Sequence, residues 1–262
     1  MLFLRVLCVL CGDPDRGSDP NDENRRDAED AEEDWTMSAS WSRERGVSEG
    51  SRGSDAPGPS SCYLPPMNVP AADAVLNRMA AAGYTVFRNG LHNLNLVGLR
   101  ATPGTPNAFC DLICAVYYAS TNDLRIDAFP ATTKPGTYWL QNPSKVDGTA
   151  ILMAGQHRGA FTFGKHKGAY ECLVQKTPLP VRRDDDHDDV ADPTKGVVQT
   201  GMFNIEIHHA SDSHASTVVN KWSAGCQVLS DPHDFLNFMN LCRLSAQTYG
   251  TAFTYTLLDW PA

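Results

Sequence analysis

Alternation of apolar and polar residues dominates the chain from residue 84 onward, and the alternating runs are short. A period of two places every second side chain of a strand on the same face. Turn-forming residues separate the runs, as at Asn89-Gly90. Several short strands with turn signals between them are typical of an antiparallel sandwich or barrel, so we expect a mainly β fold. The predicted strands cover residues 84–87, 94–99, 109–118, 124–129, 136–140, 149–153, 159–163, 169–175, 202–208 and 251–258.

Two segments have the spacing of a helix instead. Residues 71–82 (AADAVLNRMAAA) form an amphipathic pattern that ends before Gly83. Residues 232–243 (PHDFLNFMNLCR) carry apolar side chains three and four positions apart, and Asp231 stands where an N-cap belongs. We therefore expect one helix before the strands and one ahead of the last strand.

Acidic residues are concentrated at the start of the chain. Residues 1–66 hold 14 of the 31 Asp and Glu residues but only 7 of the 22 Lys and Arg residues, so they account for −7 of the net charge of −9. Beyond its first ten residues this segment is poor in aliphatic side chains and rich in Ser, Gly and Pro. Such a composition buries too little apolar surface to offset the entropy of ordering. We predict a disordered tail over residues 1–66 and a single domain over residues 67–262.

The first eleven residues (MLFLRVLCVLC) are apolar but make a poor signal peptide. The stretch is short, Arg5 interrupts it, and no small-x-small cleavage site follows. We expect it to be a weak targeting segment at most, with a natural start downstream at Met67 as the alternative. Nothing in the chain approaches the roughly 18 consecutive apolar residues of a membrane span, so no transmembrane segment is predicted.

Metal and nucleic-acid sites are not indicated. The eight cysteines lack the two spaced C-x-x-C pairs of a zinc site. Asp184, Asp186 and Asp188 alternate as in a calcium loop, but the loop has neither the glycine nor the final glutamate that calcium binding needs, which favours an exposed acidic loop. A zinc hydrolase built on His208 with Asp212 or His214 is a weaker alternative, because no H-E-x-x-H motif is present. No basic patch with interleaved aromatic residues occurs. We expect no cofactor, no metal and no nucleic-acid partner.

The clearest chemical signal is a histidine followed 18 residues later by a cysteine in a turn of small residues. In residues 203–209 (FNIEIHH), alternation places His209 on the apolar face and His208, together with Glu206, on the polar face. Cys226 follows Ser-Ala-Gly, whose small side chains let backbone amides surround an attacked carbonyl oxygen. A cysteine thiol has a pKa of roughly 8.5, so it needs a nearby imidazole or aligned amides to react at neutral pH. His208 and Cys226 are therefore predicted to be base and nucleophile.

The pattern I-H-x at residues 207–209, followed by S-x-G-C-x-V at residues 223–228, resembles the active-site signature of L,D-transpeptidase catalytic domains. These are cysteine enzymes that build 3→3 cross-links in peptidoglycan. Residues 132–138 (TTKPGTY) resemble the T-x-x-P-G-x-[FY] strand entry of the same domains. The resemblance covers roughly residues 125 to 230, and the sequence between the motifs is similar to a divergent branch found among phage and prophage cell-wall proteins. It implies a mainly β, L,D-transpeptidase-like β-sandwich with one or two short helices.

The resemblance also implies roles for individual residues. Cys226 would be the nucleophile, and His208 would be the base, oriented by a backbone carbonyl rather than by a carboxylate. Ser223, Ala224 and Gly225 would form the turn. Backbone amides near Gly225 and Cys226 would form the oxyanion hole.

Four further residues are candidate substrate contacts, and two of them depart from the family pattern. Gln227 precedes Val228, where the family often has Ile before Arg, and His209 replaces the glycine that follows the histidine. His166 lies in a basic turn (GKHKG), for which a solvated hairpin is the alternative. Arg183 could meet an anionic peptide, with a surface ion pair as its alternative.

The implied activity is acyl transfer on peptidoglycan stem peptides through a thioester on the cysteine. The alternatives are a Cys-His peptidoglycan peptidase or amidase of phage lytic type, and a non-catalytic wall or virion module on the same fold. The expected partner is the peptidoglycan stem peptide, and a monomer is expected. The expected place of action is the cell wall, reached by export or by delivery in a virion.

Overall fold

The computed structural model describes residues 68–261. The tail predicted for residues 1–66 and the candidate start at Met67 lie outside the described residues. Within the described range the helices are α1 (Ala72–Ala81), α2 (Thr137–Gln141) and α3 (Pro232–Tyr249), with a 3₁₀ helix at Asn220–Trp222. The strands are β1 (Asn95–Thr102), β2 (Asp111–Ser120), β3 (Asp123–Thr132), β4 (Thr149–Leu152), β5 (Gly155–His166), β6 (Tyr170–Gln175), β7 (Leu179–Asp184), β8 (Val198–Gly201), β9 (Ile207–His209), β10 (Gln227–Leu229) and β11 (Phe253–Pro261).

Eight of the strands close into a barrel in the order β1-β11-β5-β6-β9-β10-β3-β2, and β4, β7 and β8 form a separate three-stranded sheet. The mainly β prediction is confirmed, but the expected sandwich is replaced by a closed barrel. Closure depends on the pairing of β1 with β11, which runs in parallel from Leu96↔Tyr255 to Thr102↔Pro261. β9 and β10 are also parallel, so the sheet is mixed rather than antiparallel. Alternation within each strand does not encode these pairings between distant segments.

The apolar core has one cluster inside the barrel and a second outside it. All eight barrel strands contribute to the first cluster, for example through Ile207 and Leu229, and α3 adds Phe238. The second cluster packs α1 against the outer face of β1 and β2 through residues such as Leu76 and Val97. β1 and β2 are therefore buried on both faces, which explains why β2 reads as a nearly continuous apolar run.

Both predicted helices are confirmed. α1 ends before Gly83, which has a positive φ of 76°. α3 begins as predicted, with the Asp231 carboxylate accepting a hydrogen bond from the His233 N–H at 2.7 Å. It continues to Tyr249, beyond the predicted end at residue 243. Among residues 68–261, no helix is long and apolar enough to cross a membrane.

Two predicted strands are wrong. Residues 84–87 are not in a strand, and residues 137–141 form the short helix α2. The Gly136 carbonyl starts that helix by accepting hydrogen bonds from the N–H groups of Trp139 and Leu140, at 3.0 and 3.2 Å. The indole N–H of Trp139 then donates to the Lys221 carbonyl at 3.0 Å, so a tertiary contact overrides the local preference of the TYW run for a strand.

The remaining differences concern short strands. The run predicted over residues 202–208 is in a strand only from Ile207 onward, and β7, β8 and β10 were not predicted. β10 has three residues and β8 has four, which is too short for an alternating pattern to be distinguished.

Candidate active site

The parallel pairing of β9 with β10 brings the two predicted motifs together. Gln227 lies opposite Ile207, and Val228 lies opposite His208. The Glu206 carbonyl accepts a hydrogen bond from the Gln227 N–H at 2.8 Å, which extends the pairing by one residue. Paired residues on neighbouring strands share a face, so Cys226 lies on the same face as Glu206 and His208. Cys226 and His208, 18 positions apart in the sequence, are thus brought into one site.

The Cys226 thiol is half-buried and contacts the backbone of the segment that leads into β9. Its sulfur accepts from the Glu206 N–H at 3.5 Å and donates toward the Asn204 carbonyl at 3.6 Å. Asn204 has a positive φ of 54°, an αL conformation that asparagine tolerates better than most residues. Among the described residues, the hydrogen-bonding partners of this thiol are backbone groups and not the His208 imidazole.

His208 is buried, with 3 % of its surface exposed. Its Nδ1 lies 2.8 Å from the His209 carbonyl oxygen. A carbonyl only accepts, so we assign the proton to Nδ1, which leaves Nε2 as the basic nitrogen. An imidazole held by a backbone carbonyl is the arrangement that the family resemblance implied for the base.

Both groups are neutral in this environment. Burial raises the pKa of the Cys226 thiol to about 12, and the nearby Glu206 carboxylate acts in the same direction. Burial lowers the pKa of His208 well below its usual value, and the neighbouring His166 lowers it further. At neutral pH the pair is therefore a thiol and an imidazole, rather than a thiolate and an imidazolium.

The turn before Cys226 is held by its own hydrogen bonds. The Ser223 hydroxyl donates to the Cys226 carbonyl at 2.8 Å and accepts from the Gly225 N–H at 3.2 Å. Gly225 has a φ of 128°, and a Cβ there would come within 2.5 Å of the Ala150 carbonyl oxygen. Glycine is therefore required for both conformation and space. Ala224 is exposed at the tip of the turn.

The second predicted motif packs directly against this turn. The Gly136 N–H donates to the Ser223 carbonyl at 2.9 Å. A Cβ on Gly136 would lie 2.0 Å from the Asn220 carbonyl oxygen, so the two segments are in close backbone contact. The Lys221 ammonium lies 4.3 Å from the centre of the Tyr138 ring. The motifs at residues 132–138 and 223–228 thus form one unit, although 84 residues separate the end of the first from the start of the second.

A hydrogen-bonded pair of side chains completes the site. Glu206 Oε2 lies 2.5 Å from Nδ1 of His166, which ends β5. The His166 ring stacks on the His208 ring with centroids 4.2 Å apart and planes 21° apart. Sequence alternation placed Glu206 on the face of His208 but assigned it no role. His166 lies at the end of β5 in the hairpin with β6, next to the exposed Lys165 and Lys167, but its Nδ1 meets a carboxylate of the protein itself. Its contact with substrate stays a prediction.

His209 and Gln227, two of the predicted substrate contacts, are buried, and their contact with substrate stays a prediction. His209 is 7 % exposed, stacks on Tyr170 at 4.1 Å, and lies with its Nε2 3.5 Å from Asp212. Gln227 is fully buried, and its side chain accepts from the Tyr255 hydroxyl at 3.0 Å and donates to the Gly225 carbonyl at 3.3 Å. Both residues therefore support the fold around the site.

Arg183 lies on β7 of the small sheet. Its guanidinium donates to the Gln199 side chain at 2.8 Å and to the Gly148 carbonyl at 3.2 Å, and it lies 4.9 Å from the centre of the Phe203 ring. It thereby supports the segment just before Asn204. Its contact with an anionic substrate stays a prediction.

Two surface cavities, of about 370 and 320 Å³, lie elsewhere on the domain. The first is lined by Asp127, Phe129 and α3, and the second by the loop around Pro103 and the acidic loop of residues 189–194. Neither lining includes Cys226 or His208. Within residues 68–261, no group of three His, Cys, Asp or Glu side chains is arranged to hold a metal ion.

Comparison of the chain with protein families, curated proteins and solved structures finds no match. The case for a function therefore depends on the two motifs and on the geometry that joins them.

Proposed function

We propose that this protein is a cysteine-dependent acyltransferase of L,D-transpeptidase type that acts on peptidoglycan stem peptides. Cys226 is the nucleophile and His208 the base. One observation carries the proposal: β9 and β10 run side by side, so Cys226 lies on the same face of the sheet as His208, whose Nδ1 is held by a backbone carbonyl. The contact between Gly136 and Ser223 supports the assignment, because the second motif of the resemblance then has a place in the same site.

The neutral state of the pair determines the order of events. The thiol turns from the Asn204 carbonyl toward His208, and Nε2 takes its proton as the sulfur attacks an amide carbonyl of the peptide. Proton transfer is coupled to attack, because the free thiolate is disfavoured. The imidazolium then gives this proton to the leaving amine, and a thioester remains on Cys226. An acceptor amine completes a transpeptidation, whereas water completes a hydrolysis.

The tetrahedral oxyanion needs backbone donors. The Gly225 N–H already donates to Ser223, so the Cys226 N–H is the better of the two predicted donors. Removal of one such donor typically costs about 10²–10³ in rate.

The choice of peptidoglycan rests on the resemblance of residues 132–138 and 223–228. A Cys-His peptidoglycan peptidase or amidase shares every step up to the thioester, and it differs only in the acceptor. A non-catalytic wall module would have no need of a thiol and a carbonyl-held imidazole on the same face of the sheet.

Incubation of the full chain with a carbapenem, followed by intact-protein mass spectrometry, tests the proposal. We expect one covalent adduct in the wild type that is absent from Cys226→Ala. Cys110→Ala is the matched control, because Cys110 is also half-buried, with its sulfur 3.6 Å from the Thr105 carbonyl. This control should keep the adduct. A folded protein that forms no adduct, or an adduct that persists in Cys226→Ala, would contradict the proposal, and digestion of isolated peptidoglycan then separates hydrolysis from transpeptidation.

A further inference from the structure

We propose that Glu206 and His166 form a positioning pair that sets the reactivity of the Cys226–His208 site, an inference that rests on the proposed function. The pair does so in two ways: His166 fixes the ring of the base, and the Glu206 carboxylate keeps the nucleophile in its thiol form until the base accepts the proton.

Glu206 occupies the centre of the site through both its backbone and its side chain. Its N–H contacts the Cys226 sulfur at 3.5 Å, and its carbonyl accepts the Gln227 N–H at 2.8 Å. Its carboxylate lies 2.5 Å from His166 Nδ1 and 3.9 Å from the Cys172 sulfur. The side chains of Glu206 and His166 are only 15 % and 19 % exposed, so water screens their interaction weakly.

His166 links Glu206 to the base, because it hydrogen-bonds to Glu206 and stacks on His208. A carboxylate only accepts, so we assign a proton to Nδ1 of His166. This bond fixes the plane of the His166 ring, which lies against the His208 ring with centroids 4.2 Å apart. The His209 carbonyl fixes His208 at its edge, and His166 fixes it at its face. Because the His208 ring is restrained at both its edge and its face, its Nε2 atom keeps one orientation.

The charges around the thiol favour its protonated form. Burial raises the pKa of Cys226 most, and the Glu206 carboxylate raises it further, whereas the hydrogen bond from the Glu206 N–H and the charge of Lys167 lower it by smaller effects. Two other titratable groups interact with this thiol, Cys172 and Tyr170, and both have raised pKa values because of burial, so they are neutral at pH 7. Glu206 is therefore the negative charge that opposes ionisation of Cys226.

The surroundings of the base act in the opposite sense. Burial lowers the pKa of His208 most, and the charges of His166, His209 and Lys167 lower it further, whereas the hydrogen bond to the His209 carbonyl raises it. These three charges therefore favour the neutral imidazole that a general base requires. The thiol is hard to ionise, and the base is hard to protonate. Proton transfer between them therefore takes place only as the sulfur attacks a substrate carbonyl.

The first test compares Glu206→Gln with Glu171→Gln. The first variant keeps the shape of the side chain and a hydrogen-bonding group for His166 but removes the charge. The second makes the same chemical change on β6, where Glu171 pairs with Arg243 at 2.6 Å on the surface. The readout is the rate of Cys226 alkylation by iodoacetamide from pH 6 to 10, followed by mass spectrometry of the Cys226 peptide.

We expect Glu206→Gln to increase alkylation by roughly 3- to 10-fold at fixed pH and to move the profile to lower pH, since one pKa unit is a tenfold change in thiolate. Glu171→Gln should match the wild type. Coincident profiles for both variants and the wild type would overturn the inference. Because alkylation needs no peptide substrate, a shifted profile without any carbapenem adduct would reject the proposed function and leave the effect of Glu206 standing.

A second variant keeps the inference testable if Glu206→Gln does not fold. His166→Phe keeps a ring against His208 but removes the bond to Glu206 and the positive charge that His166 carries when protonated. We expect the His208 ring resonances, followed by NMR, to titrate at higher pH than in the wild type. An unchanged His208 titration in folded His166→Phe would overturn the link between the two histidines.

Discussion

Two walls of the barrel differ in what they bury on their outer faces. The β1–β2 wall carries apolar residues there, such as Val97 and Leu112, and α1 covers them. The β9–β10 wall has apolar residues on its inner face, for example Ile207. Its outer face carries His208, which is 97 % buried, together with Glu206 and Cys226.

The difference separates the residues that stabilise the fold from those proposed to carry out the chemistry. Buried polar groups cost free energy unless they are hydrogen-bonded, and replacing them by apolar side chains is often neutral or stabilising. The β1–β2 wall has apolar side chains on its outer face, and the helix α1 packs against them. The β9–β10 wall instead satisfies a thiol, two imidazoles and a carboxylate with one another and with the backbone. Departures of this kind from the apolar rule are expected at functional sites.

The largest expected effect belongs to the β9–β10 wall. His208→Gln removes the proposed base while keeping a polar side chain of similar size, and we expect the rate of acylation by a carbapenem to fall about 10²- to 10⁴-fold. Time-resolved mass spectrometry measures this rate. His214→Gln is the control, because His214 is exposed and, within residues 68–261, its ring hydrogen-bonds to the neighbouring Ser211 and Ser213. A wild-type rate in folded His208→Gln would remove His208 from the mechanism.

The β1–β2 wall should give the opposite result, with a large effect on stability and none on chemistry. Leu76 on α1 is fully buried, so Leu76→Ala should lower the free energy of unfolding by about 2–5 kcal/mol in urea denaturation. The pH profile of Cys226 alkylation should not change under native conditions. Leu236→Ala on α3 is the matched control, since Leu236 is 53 % exposed and its loss should cost less than about 0.5 kcal/mol. An altered Cys226 profile in folded Leu76→Ala would show that the two walls are not independent.

The same comparison explains what could be predicted from the sequence. The helix α1 and the strand β2 were recognised because their apolar patterns are long, with β2 extending over ten residues. His208 and Cys226 were recognised because their residue types and their spacing are distinctive. β10 was missed because three residues carry no period, although this strand brings Cys226 to β9.

The contacts made by His166 and Gln227 could not be predicted in the same way. His166 reaches the site from the end of β5, 40 residues before Glu206, and only the pairing of β6 with β9 brings them together. Gln227 was a candidate substrate contact because it lies next to the predicted nucleophile in the motif that resembles the family signature. Its partner, Tyr255, lies 28 residues further along the chain on β11, so its burial depends on how the barrel closes. Contacts of this kind are determined by topology rather than by local pattern.

The smallest expected effect concerns the response of stability to pH. The folded protein lowers the pKa of His208 by burial, whereas the unfolded chain has a histidine near the usual value of about 6.5. Below that value the unfolded state binds more protons than the folded state, so the free energy of unfolding falls as the pH decreases. His208→Gln should remove the contribution of His208 to this decrease in the free energy of unfolding. The stability of the variant should therefore depend less on pH between 7 and 5 than that of the wild type. His157 and His209 also have pKa values lowered by burial, but both are present in each protein, so their contributions cancel in the difference.

Urea denaturation between pH 7 and 5 measures how the free energy of unfolding changes with pH, and His214→Gln is expected to follow the wild type. Parallel curves for His208→Gln and the wild type would mean that the β9–β10 wall accepts a charged imidazole at no cost, and the contrast between the two walls would then disappear.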